Sequence, residues 1–221
     1  MVAISNKLKV KVKTAKYRKN ASTKWLLRQL NDPFVKKARS EGYRSRAAFK
    51  ILEIDKKFHI FKHGMKVVDI GSAPGGWSEV VIKKVGFGNI VAIDILPMKE
   101  IEGVIFKQID FTNSEATSFL LNTFQKVDVV MSDIAPNTTG NDNLDHLQIM
   151  ALVEQAYNFA TDVLIVGGIF IAKVRQGGTE NNLLSQMKKD FNIVKHFKPE
   201  SSRKESSETY VIALGFKNPK N

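Results

Sequence analysis

From Lys66 onward the chain alternates short β-branched apolar runs with stretches whose apolar residues recur at helical spacing. That alternation is the pattern of a parallel sheet assembled from βα units. Residues 67–70, 90–93, 104–109, 127–131, 169–174, 193–197 and 210–216 read as seven strands, and 76–85, 114–124, 142–163 and 179–190 as helices. Asn113 and Thr179 stand where N-caps of the second and fourth of these helices are expected. Only residues 198–209 separate the last two strands, too few for a parallel crossover, so these strands are expected to close the sheet as an antiparallel hairpin. Upstream, residues 45–58 (SRAAFKILEIDKKF) predict a further helix with Ser45 as N-cap, packed on the sheet through Ala48, Phe49 and Leu52. The fold class is therefore α/β: an open, mostly parallel seven-stranded sheet with helices on both faces.

The length of 221 residues with 43% apolar and 25% charged side chains suits one globular domain with a modest appendage. Charge divides the chain further. Residues 1–50 hold 15 lysines and arginines against two acids, whereas residues 51–221 hold 19 against 20, so the net charge of +12 resides in the first quarter. Residues 1–24 contain seven lysines, one arginine and no acid, which predicts a flexible arm drawn to a polyanion. The expected organisation is this arm, a helical segment over 25–60 that carries more basic residues, and an α/β core over 61–221, with 25–221 forming one domain. No apolar run is long enough to span a membrane and no signal-peptide core is present, so a cytoplasmic location is expected; a Lys-rich start is a poor match to a mitochondrial transit peptide. Asn20 and Asn137 lie in glycosylation sequons, which have no meaning without secretion.

The chain contains no cysteine, which excludes disulfides, thiolate-ligated metals and thiolate nucleophiles. His59 and His63 lack an accompanying carboxylate motif, and no metal site is expected.

The most chemically suggestive stretch is 67–77, VVDIGSAPGGW, a buried strand running into a glycine-rich turn that opens a helix. Ligands of open α/β sheets bind at such turns, and Gly71, Gly75 and Gly76 permit close backbone approach. The turn is neither a P-loop nor a GxGxxG fingerprint. Asp69, Asp94, Asp110 and Asp133 fall at the ends of four successive strands. A pyrophosphate would be repelled there, whereas a cationic sulfonium carrying an amino group and ribose hydroxyls is matched. The acids thus favour S-adenosylmethionine over a nicotinamide dinucleotide, with Asp94 placed for the ribose.

The separated motifs YRSRAAFKILEI, VVDIGSAPGGWSE, DILPM, VVMSDIAPN, FIAKVRQG and SSRKESSETYVIA together resemble the RrmJ/FtsJ family of ribose 2′-O-methyltransferases, and within it the bacterial members that modify large-subunit ribosomal RNA. The resemblance implies a Rossmann-like methyltransferase fold and a catalytic tetrad of Lys50, Asp133, Lys173 and Glu208, with Lys173 as the group that deprotonates the ribose hydroxyl. It implies cofactor contacts from Gly75, Trp77, Asp94, Asp110 and Asp133, beside Asp69, Gly71 and Gly76 of the strand and turn. The cofactor is S-adenosylmethionine, leaving as S-adenosylhomocysteine. Ser72 stands where alanine is common in the family, and Arg175 where an aromatic is often found.

A ribose hydroxyl attacks a sulfonium methyl directly once aligned and relieved of its proton. A lysine can take that proton only if burial or a neighbouring cation lowers its pKa from ~10.4 toward ~7–8. Lys50 is a candidate for the neighbouring cation, whereas Asp133 and Glu208 favour the charged ammonium and are expected to orient the lysines. By spacing alone, Lys173 and Glu208 read as an ordinary structural ion pair. Lys36, Lys37, Arg39, Arg44, Arg46, Lys198, Arg203 and Lys204 are the expected phosphate contacts to ribosomal RNA. The expected partner is that RNA within the large subunit, bound by a monomer at a uridine ribose. The competing readings are transfer RNA or another ribosomal position as substrate, a silent RNA-binding scaffold, and an oxidoreductase.

Overall fold

Seven strands form one sheet in the computed structural model, which describes residues 10–12, 14–17, 20–136, 142–175, 181–203 and 206–218. Along the chain the elements are α1 (Asn20–Asn31), α2 (Pro33–Ser40), α3 (Ala47–Phe58), β1 (Val67–Ile70), α4 (Gly76–Val85), β2 (Ile90–Asp94), β3 (Val104–Gln108) and α5 (Ser114–Phe124). There follow β4 (Val127–Ser132), α6 (Asp142–Val163), β5 (Leu164–Arg175), α7 (Asn181–Asp190), β6 (Phe191–Phe197) and β7 (Glu208–Phe216). The strand order is β3-β2-β1-β4-β5-β7-β6. Pairing is parallel from β3 to β5, and β7 inserts antiparallel between β5 and β6. The hairpin is thus present at one end of the sheet, with the last strand inside it and β6 on the edge.

The order reverses between β1 and β4, which makes the gap beyond their carboxyl ends the topological switch point where such sheets bind ligands. Every residue of β1 is buried, because helices cover both faces, and this explains its continuous apolar run. One core layer joins Val68, Val130, Phe170 and Val211 to helices α5, α6 and α7, with Phe124, Tyr157 and Met187 filling it. The other joins Val67, Met131, Ile171 and Ile212 to α3 and α4 through Ile51, Ile54, Val81 and Trp77. Since strand side chains alternate faces, Lys173, Tyr210 and Asp133 are carried by the ends of strands whose neighbouring residues build this second layer.

Several element boundaries differ from the sequence reading, most by one or two residues. Strand β5 begins at Leu164 rather than 169, because its register with β4 jumps between Val127 and Val129 and a Gly167 with φ +84° carries the extra residues outward. Helix α3 begins at Ala47, with Arg46 rather than Ser45 at its N-cap position. Its entry is a tight turn in which the Ser45 and Arg46 carbonyls accept from Ala48 and Phe49 N–H, while Ser45 Oγ accepts from Ala47 N–H. Asn113 occupies the N-cap of α5 but its side chain caps nothing. Helix α1 starts at Asn20, so helical structure reaches into the segment read as the arm. Thr179 and Asn137 lie outside the described residues.

Among the described residues, no helix is long and apolar enough to cross a membrane.

Candidate active site

Two cavities open side by side at the switch point. The smaller, about 220 Å³, is lined by Asp69, Gly71, Ser72, Trp77 and Asp133 together with Ser45 to Ala47 from the entry to α3. The larger, about 490 Å³, runs between α1, α3, α6 and the ends of β5 and β7, and carries Arg28, Arg46, Lys50, Arg175, Arg203 and Glu208 on its walls. Arg46 and Ala47 belong to both.

The glycine turn owes its shape to close approaches. A Cβ on Gly71, whose φ is +72°, would lie 2.1 Å from the Ile134 side chain, and one on Gly76 would lie 2.2 Å from Ser45 Oγ. The indole of Trp77 donates to Ala47 O at 3.0 Å, and its ring lies 5.6 Å from that of Tyr210 at a tilt of 43°.

The four acids stand at or next to the carboxyl ends of β1 to β4, but in different surroundings. Asp69 is buried, and its carboxylate accepts from Ser78 Oγ at 2.6 Å. Burial pushes its carboxyl up to about 7, against the Ser78 hydrogen bond. Asp94 accepts from Ala73 N–H at 2.7 Å and from Leu96 N–H at 2.8 Å, so it ties the glycine turn to the loop after β2. Asp110 is exposed and accepts from both N–H and Oγ of Thr112. Only Asp69 and Asp133 line the smaller cavity itself.

Asp133 is the centre of the arrangement. Lys173, 5% exposed, donates to the Asp133 carbonyl at 2.7 Å and lies 3.1 Å from its carboxylate. Lys50 Nζ stands 3.3 Å from both carboxylate oxygens, and Tyr210 OH donates to Oδ1 at 2.6 Å. Burial would raise the Asp133 carboxyl, but Lys173 and then Lys50 outweigh it and hold it at about 2. Burial lowers the Lys50 ammonium; Asp133 opposes this and Lys173 reinforces it. Burial and the adjacent Asp133 push the Tyr210 phenol well up, so it remains a donor. Lys50 lines the larger cavity and Asp133 the smaller, so their ion pair forms the boundary between them. Glu208 lies on the larger wall, opposite Arg175 in the β5–β7 ladder, and its charge reaches Lys50. The ion pair read from spacing between Lys173 and Glu208 is replaced by one between Lys173 and Asp133.

The basic residues divide. Lys36, Lys37 and Arg39 are exposed on α2. Arg46 and Arg203 are instead committed inward: both pair with the buried Asp32, and Arg46 also donates to Ser201 O. Asp32 in turn caps α2 by accepting from Phe34 and Val35 N–H, so one carboxylate ties the start of α2 to α3 and to the loop between β6 and β7. Arg44 points away from the larger cavity, toward the loop after β2. Lys198 donates to Ser206 O, and Lys204 lies outside the described residues.

Sequence reasoning missed Tyr210 and Asp32. Tyr210 was legible in one respect: it stands two residues after Glu208 on a strand, hence on the same face. Asp32 carried no signal, since its partners are 14 and 171 residues away.

The smaller cavity fits the sulfonium cofactor on the chemistry of its walls: a carboxylate held ionised, a glycine turn allowing backbone approach, and a buried Ser72 hydroxyl that has no hydrogen-bond partner. Among the described residues, no cluster of three His, Asp or Glu side chains is arranged to hold a metal ion.

The chain is 54% identical over 215 residues to a ribosomal RNA large subunit methyltransferase E from Azorhizobium caulinodans, covering 95% of this chain and 90% of that one. It is also 54% identical to the protein of that name from Bradyrhizobium diazoefficiens, covering 96% of each. The crystal structure of a ribosomal RNA methyltransferase from Plasmodium falciparum superimposes with a TM-score of 0.70 at 30% identity, covering 79% of this chain and 98% of that one. The family model described as FtsJ-like methyltransferase matches residues 43–216, a span that runs from the entry to α3 to the last residue of β7, and the chain belongs to that family.

Proposed function

We propose that the protein transfers the methyl group of S-adenosylmethionine to a ribose 2′-hydroxyl, that of a uridine, in 23S RNA of the large ribosomal subunit, acting as a monomer. The observation that carries this reading is the Lys50–Asp133–Lys173 cluster standing at the boundary between an acid-lined cavity and a basic one. The names borne by its relatives support the ribosomal substrate.

Asp133 and Asp94, with the backbone of 71–76, would hold the cofactor, which supplies a methyl group already activated by positive sulfur. The remaining work falls to the protein. Bond formation from the 2′-oxygen to that methyl carbon would release the sulfur as a neutral thioether, and the hydroxyl proton would pass to Lys173 Nζ. Two directions around Lys173 Nζ are directed to Asp133, at 2.7 Å to its carbonyl and 3.1 Å to its carboxylate. These two contacts leave a further direction at Nζ for the substrate. Lys50, which reaches both oxygens, and Tyr210, which donates to the Oδ1 that Lys173 approaches, also fix the carboxylate, so the base is oriented before substrate arrives. Among the described residues, the larger cavity is lined by more cations than acids and by no aromatic side chain, which suits a phosphate-bearing strand held by charge.

The test is incubation with methyl-labelled S-adenosylmethionine and large subunits that lack the modification, followed by mapping. Label on one ribose 2′-oxygen is expected. Label on a base, or transfer only to transfer RNA, overturns the reading.

A further inference from the structure

Arg44 was expected among the RNA contacts, yet its guanidinium is spent elsewhere. Its two terminal nitrogens donate to the carbonyls of Lys99, at 2.7 Å, and Glu100. Its own N–H donates to the Glu79 carboxylate at 2.9 Å, fastening it to the first turn of α4. Its aliphatic stem crosses the glycine turn: a Cβ built on Gly75 would meet Arg44 Cδ at 3.4 Å, beside Met98 Sδ and Ile101 Cδ1. Arg44 therefore touches the start of α4, the glycine turn and the loop after β2 at once. That loop begins at Asp94, whose carboxylate is itself shared between Ala73 and Leu96 N–H.

We infer that Arg44 is a positioning residue for the methyl donor rather than an RNA contact: it staples residues 98–101 over the glycine turn and so holds the Asp94 side of the donor's cavity in shape. The physical basis is the planar fork of arginine, which satisfies two adjacent carbonyls at once and loses little further freedom in doing so. A lysine supplies one mobile ammonium and cannot hold both carbonyls in the same geometry. The inference rests on the cofactor reading above. It adds that a residue in the basic segment, two positions before Arg46 and six before Lys50, serves the donor side of the boundary.

The experiment compares the wild-type protein with Arg44→Ala and Arg44→Lys by calorimetric titration with S-adenosylhomocysteine and by binding of a large-subunit RNA fragment across salt concentrations. The expected result for Arg44→Ala is about tenfold weaker S-adenosylhomocysteine binding, with Arg44→Lys between it and the wild type, as loss of two charge-assisted hydrogen bonds to the loop implies. The KM for the donor rises in parallel while kcat at saturating donor stays within about twofold, the mark of a ground-state positioning role. RNA affinity and its salt slope remain unchanged, and amides 98–101 exchange faster. A folded Arg44→Ala protein that binds S-adenosylhomocysteine as tightly as the wild type overturns the inference, as does a salt slope reduced by about one, the signature of a lost phosphate contact. If Arg44→Ala does not fold, Arg44→Lys decides on the same two titrations. Failure of the wild type to bind S-adenosylhomocysteine would defeat the cofactor reading first, separately from the role of Arg44.

Discussion

The two cavities that meet at Asp133 are built on opposite plans. The smaller is made of neighbours in sequence, a strand end and its glycine turn, closed by an acid from β4 and the entry to α3. The larger is assembled from α1, α3, α6, β5 and β7, whose contributions come from both ends of the chain. Charge follows in part, with Asp69 and Asp133 against Arg46 around the smaller, and Arg28, Arg46, Lys50, Arg175 and Arg203 against Asp145 and Glu208 around the larger. The contrast teaches that the smaller cavity is a property of the sheet's topology, whereas the larger depends on side chains that tether separate segments. Asp133 and Arg46 stand where the plans meet, and changes on either side should separate them.

The largest separation is expected from Lys173→Ala. Methyl transfer should fall by about 10²- to 10⁴-fold, the range for loss of a positioned base, while calorimetry shows S-adenosylhomocysteine affinity within about twofold of wild type. Parallel loss of both in a folded protein would assign Lys173 to donor binding.

Next in size is Asp32→Asn, which retains the α2 cap but leaves Arg46 and Arg203 without their shared carboxylate. Removing one partner of a buried ion pair costs about 3–5 kcal/mol, so denaturant unfolding should show a loss of that order. Unchanged stability would mean that the larger cavity does not depend on this tether.

Asp69→Asn tests the donor side through pH. The Asp69 carboxyl is raised to about 7 in the folded protein, so the folded state holds a proton that the unfolded chain has released. The stabilisation is full below the unfolded pKa near 4 and is lost as pH rises through about 7. Thermal unfolding at pH 5 and pH 8 should therefore show the wild type losing on the order of 2 kcal/mol relative to Asp69→Asn, and an identical pH dependence in the two proteins would contradict burial of a protonated acid.

The smallest effect belongs to the exposed face of α2. Replacing Lys36, Lys37 and Arg39 together by alanine should weaken binding of a ribosomal RNA fragment by about tenfold at physiological salt and flatten its salt dependence, with donor affinity untouched. A flat salt dependence in the wild type would remove phosphate anchoring from the account altogether.

Much of the fold was legible because its signals are local. Residues 67–70, 76–85 and 114–124 were read at the bounds the structure gives, since a doubly buried strand and an amphipathic helix each write their period into neighbouring residues. The glycine turn and the acids after the strands were legible for the same reason. Strand β5 was read short because Gly167 and Gly168 look like a terminator when only the sequence is seen, whereas in the sheet they carry an outward excursion between two paired segments. Ser45 was taken for a cap because its side chain can bond an N–H two residues on, which it does, but the helix proper starts later.

The amino-acid sequence by itself determined the α/β class, the position of the glycine turn, the uneven charge and the residue types from which the cluster is made. Tertiary structure alone decided which carboxylate each cation meets. Lys50 and Lys173 are 123 positions apart in sequence and converge on Asp133 only because β1, β4 and β5 are adjacent in the sheet and α3 packs across that face. Arg44 and Arg46, two residues apart, part company at the same boundary, one to the loop after β2 and the other to Asp32. The reason is physical: periodicity and turn chemistry are set by neighbours along the chain, whereas the partner of a charge is set by whatever the fold brings within a few ångströms of it in a region shielded from water.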